Sequence, residues 1–414
     1  MSDRYSVSPT ALLLASLLPA APLLAQEEAT VEERLTKLEE ENARLKSQMD
    51  AVSGELERFE FRDIIPVIGD SVFGLGPAAS KVYSKDQGFS IGGYGEMVYE
   101  DPAGSSTATA DYLRNIIYVG YKFDERWVFN SEIEIEHADE IFVEFAYLEY
   151  LQSDAFNVRT GMLLMPMGFI NEMHEPTTFR GSSRPETETR IIPSTWRENG
   201  VGVLGDVGEF SYKFYVVNGL DAAGFSETGI RGGRQKGSKA LAEDLAAVAR
   251  ADWNSDFGLN LGVSGYYGDS GQGQSGLADA TTMILDAHLQ YQWQGLRVRG
   301  LYAMADLDDT EAVSATNGTV VGEEMRGWYL EAGYDLMSAF APDSGQAVIP
   351  FVRYEELDTH ASVADSLVAD PAQEDEVTTL GVDWLPIPNI VFKASYQDFD
   401  TATDSFQVSL GYVF

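Results

Sequence analysis

The chain contains no cysteine. That excludes disulfides, thiolate metal sites and a cysteine nucleophile. Histidine is nearly as scarce, with four in 414 residues. No Ser-His-Asp or paired-carboxylate constellation stands out, so the chain reads as no enzyme and implies no metal or cofactor. Positive charge is also in short supply: 28 Lys plus Arg stand against 66 Asp plus Glu, for a net charge of −38. Nucleic acid needs basic patches on its partner, and a chain this acidic argues against such binding. After the N-terminal segment no apolar run reaches the roughly 18 residues of a membrane helix. Aromatic residues, by contrast, make up 11% of the chain, too many for a disordered protein.

The first 25 residues read as a secretory signal. Arg4 precedes the apolar stretch "ALLLASLLPAAPLLA", Ala11 to Ala25, which Pro19 and Pro22 interrupt. It is too short and too broken for a span, and cleavage is expected after Ala25. Residues 26–60 form a second region with a heptad seam. Leu35, Leu38, Asn42, Leu45, Met49, Val52 and Leu56 fall alternately three and four apart. That is the a/d pattern of a coiled coil, and a buried Asn at an a position fixes register and oligomer state. These residues leave dimer against trimer open. Residues 61–87, punctuated by Pro66, Gly69, Gly74, Gly76 and Pro77, read as a linker.

From residue 88 to 414 the period becomes two. In "RWVFNSEIEIEH" the side chains Trp127, Phe129, Ile133 and Ile135 face one way, and Asn130, Glu132, Glu134 and Glu136 the other. About sixteen such segments follow one another. Strands of about ten residues with one apolar face are the mark of a membrane β-barrel, and Trp127, Trp253, Trp293 and Trp384 at strand ends resemble interface girdles. Connection lengths agree. Even-to-odd connections are short, such as "DE" at 124–125 and "QG" at 294–295, and most odd-to-even ones are long. Short periplasmic turns and long outer loops belong to bacterial barrels. The expected fold is an all-β, antiparallel outer-membrane barrel of about sixteen strands behind a periplasmic coiled coil, surrounded by outer-membrane lipid and lipopolysaccharide. The chain closes on "SFQVSLGYVF", and Phe414 is the expected handle for the barrel assembly machinery.

A barrel of that size leaves a lumen that its side chains cannot fill. The expected filler is "MPMGFINEMHEPTTFRGSSRPETETRIIPSTWRENG", Met165 to Gly200, the third and longest outer loop. It carries Arg180, Arg184, Arg190 and Arg197 against Glu172, Glu175, Glu186, Glu188 and Glu198, so its charges leave the sign of a preferred ion open. His174 stands between two of those glutamates in a spacing that fits no structural zinc pattern, and a hydrogen bond within the loop is expected. By alternation Arg114, Arg159, Lys213, Arg250, Arg297, Arg299, Arg353 and Lys393 face the lumen. So do Glu132, Glu134, Glu136, Glu144, Asp286, Glu331, Glu355 and Asp383. Either the cations meet solute, or they pair with these carboxylates and brace the wall.

"EIEIEHADEIFVEFAYLEY" (132–150) and the whole stretch 158–205 resemble the phosphate-selective porin O and P family. The likeness is greater to its coiled-coil-bearing members, the DcaP-like trimeric porins. It extends over about residues 89–414. The resemblance implies sixteen strands, a homotrimer, an inward third loop and an anion path lined by arginine and lysine. The functional expectation is a porin for small hydrophilic solutes, with phosphate- or carboxylate-type anions as the candidate class. The alternative is a structural barrel whose coiled coil tethers or spaces the envelope.

Overall fold

A computed structural model describes residues 31–58, 70–104, 107–277 and 280–414, with side chains in the first stretch described as far as Met49. The signal segment 1–25, residues 61–69 of the linker and the side chains of Val52 and Leu56 lie outside the described residues. The chain divides into two units, Met1–Glu60 and Phe61–Phe414. In the first, helix α1 (Val31–Arg58) exposes Leu35, Leu38, Asn42 and Leu45 to solvent in the single chain.

The second unit is a closed barrel of sixteen strands. They are β1 (Gly88–Pro102), β2 (Thr109–Lys122), β3 (Trp127–Glu136), β4 (Glu140–Ser153), β5 (Phe156–Leu164), β6 (Arg197–Val207), β7 (Phe210–Asn218) and β8 (Leu245–Asn254). The second half comprises β9 (Leu259–Asp269), β10 (Thr281–Trp293), β11 (Leu296–Leu307), β12 (Glu324–Tyr334), β13 (Ala347–Ser362), β14 (Glu374–Ile387), β15 (Ile390–Phe399) and β16 (Ser405–Val413). Every strand pairs antiparallel with its chain neighbours, and β1 closes on β16 through a register running from Tyr94↔Val413 to Pro102↔Ser405. Phe414 extends the seam: its N–H donates to the Gly93 carbonyl at 2.9 Å and its carbonyl accepts from Gly93 N–H at 3.0 Å. A Cβ on Gly93 would stand 2.7 Å from the Phe414 ring, so glycine there makes room for the terminal aromatic.

The faces separate as the alternation requires. In β10, Ile284, Asp286 and His288 are buried inside, and Leu285 and Leu289 are exposed outside. Trp127, Trp253, Trp293 and Trp384 all fall beside the short turns. Tyr99, Tyr112, Tyr267, Tyr302 and Tyr396 are exposed towards the other rim. Two aromatic belts around an apolar band suit a lipid boundary. Among the described residues, no helix is long and apolar enough to cross a membrane.

Residues 70–87, expected as linker, are packed rather than free. They run inside the wall and include a 3-10 helix at Ala79–Ser84, with Leu75, Ala78, Ala79 and Val82 buried. The rim that carries the short connections is called the short-turn end below, and the opposite rim the long-loop end.

Candidate functional site: the lumen and its inward loop

The loop between β5 and β6 (165–196, here L3) folds into the lumen, where Met165, Met167, Ile170, Ile191, Ile192 and Trp196 are fully buried. A backbone bond, Met165 N–H to the Trp196 carbonyl at 3.0 Å, and one side chain close its neck. Asn171 Nδ2 donates to the carbonyls of Met165 at 2.7 Å and Trp196 at 2.8 Å, and Asn171 Oδ1 accepts from Trp196 N–H at 2.5 Å.

A loop with four prolines and no ladder must find other partners for its backbone, because buried peptide groups left unpaired are costly. The wall supplies them. Arg250 on β8 donates to the Gly168 carbonyl at 2.5 Å, and Asp286 on β10 accepts from Gly168 N–H at 3.1 Å. Arg297 on β11 reaches the Thr178 carbonyl at 2.8 Å, and Arg299 the same oxygen at 3.5 Å. Lys393 on β15 donates to the carbonyls of Phe179 at 3.1 Å and Gly181 at 2.8 Å. Arg353 on β13 reaches the carbonyls of Arg180 at 3.4 Å and Ser183 at 3.2 Å. Carboxylates perform the converse task. Glu188 accepts from Phe169 N–H at 2.7 Å, Ile170 N–H at 2.8 Å and the Tyr329 hydroxyl at 2.6 Å. Glu355 accepts from Thr187 N–H at 3.1 Å.

The loop's own charges are largely paired. Arg180 meets Asp383 at 3.2 Å, and Arg197 meets Glu144 at 2.5 Å. Glu172 pairs with Lys213. His174 bonds the Asn171 carbonyl at 3.0 Å and Glu132 at 3.2 Å, so both ring nitrogens are engaged. Glu175 accepts from Ala78 N–H at 2.9 Å and Ala79 N–H at 3.0 Å. Burial pushes the Glu175 carboxyl up to about 7 against the pull of those two donors. Wall cations pair as well. Arg114 lies 2.9 Å from Glu96, 3.2 Å from Glu134 and 3.7 Å from Glu136. Arg159 lies 3.2 Å from Glu149. Arg353 meets Glu355 at 2.8 Å and Glu331 at 3.4 Å, and Arg250 meets Asp252 at 2.6 Å. His288 faces Asp286 at 2.6 Å and Asp252 at 3.0 Å.

Some cations have no carboxylate within 4.0 Å among the described residues. Arg184 buries its Nε and Nη2 without a hydrogen-bond partner, and so does Arg297 its Nε. Arg190 sits half-buried at the end of the short helix Thr187–Arg190 within the loop. The loop between β7 and β8 (219–244, here L4) adds three more that alternation does not reveal. Its run "RGGRQKGSK", Arg231 to Lys239, holds four cations and no acid in nine residues, which is the signal that marks it. Arg231 donates to the Ser194 carbonyl at 2.8 Å, and Arg234 to the carbonyls of Pro193 at 3.3 Å and Thr195. Arg231, Arg234 and Lys236 lie within electrostatic reach of one another and of Arg184 and Arg197. Arg231 and Lys236 are exposed. The cluster therefore gathers positive charge at the long-loop end of the lumen, in direct contact with carbonyl oxygens, while Glu136, Glu144 and Glu198 lie within electrostatic reach without forming ion pairs.

Solved structures share this architecture. OmpT of Vibrio cholerae in its trimer form superposes with a TM-score of 0.53 at 11% identity, over 80% of this chain and 100% of that one. An anion-selective porin from Comamonas acidovorans gives 0.51 at 11% identity, over 79% and 100%. Salmonella typhi OmpF gives 0.50 at 12% identity, over 80% and 98%. The sixteen-stranded wall thus has the fold seen in these porins. No protein-family model matches the chain. A protein of Aquifex aeolicus (strain VF5), described as "Uncharacterized protein", is 39% identical over 355 residues, covering 80% of this chain and 81% of that protein. The chain belongs to the family of that protein.

The neck bonds generate a prediction. Asn171→Ala leaves the buried Trp196 N–H without a partner and takes one of two donors from each of the Met165 and Trp196 carbonyls, and is expected to cost about 1–3 kcal/mol. Limited proteolysis of the detergent-folded protein should then cut within 165–196, where the unsubstituted loop resists; equal resistance of both proteins would contradict the bracing role.

Proposed function

We propose that the protein is an outer-membrane channel for small hydrophilic solutes, and that it prefers anions of the phosphate or carboxylate type. The observation that supports this reading is the cluster of Arg184, Arg231, Arg234 and Lys236, none of which forms an ion pair with a carboxylate among the described residues, and of which Arg231 and Arg234 are held by backbone carbonyls. Charged rings set ion preference in pores by raising the local concentration of the counter-ion. Lumen carboxylates are numerous, yet most are spent on arginine, lysine or peptide N–H. The likeness of 132–150 and 158–205 to the phosphate-selective porin O and P group, in its DcaP-like form, points the same way. Liposome swelling tests it. Carboxylate solutes are expected to enter severalfold faster than ammonium solutes of matched size. No swelling with any solute would remove the channel reading, and faster cations would remove the anion preference.

The reading includes a homotrimer joined by a periplasmic coiled coil. Leu35, Leu38 and Leu45 form an apolar seam 53–62% exposed in the single chain, which a second and third copy would cover. The same seam is what favours a role as an envelope spacer, in addition to transport. Cross-linking is expected to trap a trimer from the full chain and much less from a variant with all three leucines changed to asparagine. Monomer in both would remove this part of the reading.

A further inference from the structure

Residues 70–84 precede the first strand and yet lie inside the barrel at its short-turn end. The wall is cut back to receive them. A Cβ on Gly92 would stand 2.9 Å from the Ala78 carbonyl oxygen, and one on Gly120 would stand 2.6 Å from Val82 Cβ. Asn130 Nδ2 donates to the Ala79 carbonyl at 2.9 Å, and the Tyr83 hydroxyl lies 3.0 Å from that of Tyr147. L3 grips the same segment from the lumen side, through Glu175 on the N–H groups of Ala78 and Ala79. The sector bounded by β1–β5 is thereby filled by two chain segments, each holding the other.

The space left open lies across the lumen. A cavity of about 400 Å³ is bounded by the turn at Ser71–Gly74, by L3 at Gly168–Met173 and by the inner face of β6–β11, and it reaches Asn254 and Asn260 beside the short turns. Two of its cations are cancelled, Lys213 by Glu172 and Arg250 by Asp252. Arg299 is not. It is buried, it bonds the Gln290 amide oxygen at 2.8 Å, and its guanidinium stands 4.4 Å over the Phe169 ring. An amide and an aromatic face fix its position without neutralising its charge.

We propose that solutes cross the short-turn half of the barrel off axis, through this cavity, and that Arg299 is the cation that receives a small carboxylate or phosphate there. The proposal rests on the channel reading given above. The side-chain amides of Asn254, Asn260 and Gln290 replace part of the water an anion leaves behind, and residues 70–84 set the width of the passage by occupying the other side.

A chain without native cysteine allows a direct test by single thiols in reconstituted channels. Asn260→Cys places one in the cavity, and Ser90→Cys places one on the inner face of β1 behind residues 70–84. A negatively charged methanethiosulfonate is expected to lower single-channel conductance by at least about half at Asn260→Cys, as an obstructing charge in a narrow pore does, and to leave Ser90→Cys unchanged. Block at Ser90→Cys, or no block at Asn260→Cys, overturns the off-axis route. Unsubstituted protein without any conductance overturns the channel reading and this proposal with it, whereas conductance with the wrong labelling pattern overturns this proposal alone. For Arg299, inorganic phosphate is the probe. Arg299→Gln is expected to raise the phosphate concentration that halves the chloride current about tenfold, the loss of one charge-assisted contact, and Arg299→Lys to recover part of it. An unchanged concentration in Arg299→Gln overturns the assignment of Arg299.

Discussion

A closed wall of sixteen strands encloses more space than its inward side chains can fill. Everything inside this barrel follows from that surplus and from the rule that peptide groups placed in it need partners. The chain fills the lumen with itself, using L3 from one end and residues 70–84 from the other. Neither segment brings a ladder of its own. The wall therefore carries side chains long and polar enough to act as one: Arg250, Arg353 and Lys393 for the carbonyls, and Glu188, within the loop, for two N–H groups. Charged groups bind peptide groups more strongly than neutral ones, which suits them to hold a loop that must keep one shape beside water.

The same residues divide the lumen's charge into two populations. Cations with a carboxylate partner are structural, and their field is cancelled within a few ångströms. Cations that face carbonyl oxygen keep their field, because a carbonyl carries a dipole and no net charge. Arg231, Arg234, Arg297 and Arg299 belong to the second population. A chain of net charge −38 can in this way present a basic path, since the balance that matters to a solute is local.

Much of the wall was legible in the sequence. Period-two alternation located the strands, and the parity of short and long connections ordered them, because a barrel has only two rims. The position of Met165–Arg197 as an inward loop followed from its length and its missing period. Its attachments did not follow. Backbone carbonyls have no signature in a sequence, so the hold of Lys393 and Arg353 on Phe179, Gly181, Arg180 and Ser183 was not legible, whereas the wall pairs of Arg353 with Glu331 and Glu355 were. Residues 70–84 read as linker because Gly74, Gly76 and Pro77 break every period. Their complement is Gly92 and Gly120, two strand glycines that look ordinary until the segment lies against them. The basic run Arg231–Lys239 was visible as composition, but only the fold brings it over Arg184.

The central claim is that uncancelled lysine and arginine, rather than the more numerous carboxylates, set the field a solute meets. The reversal potential of the reconstituted protein in a potassium chloride gradient measures that most directly. The expected potential has the sign that reports chloride permeating faster than potassium, declining towards zero as salt screens the cluster. A potential of the opposite sign would mean that the lumen glutamates govern, and would contradict it.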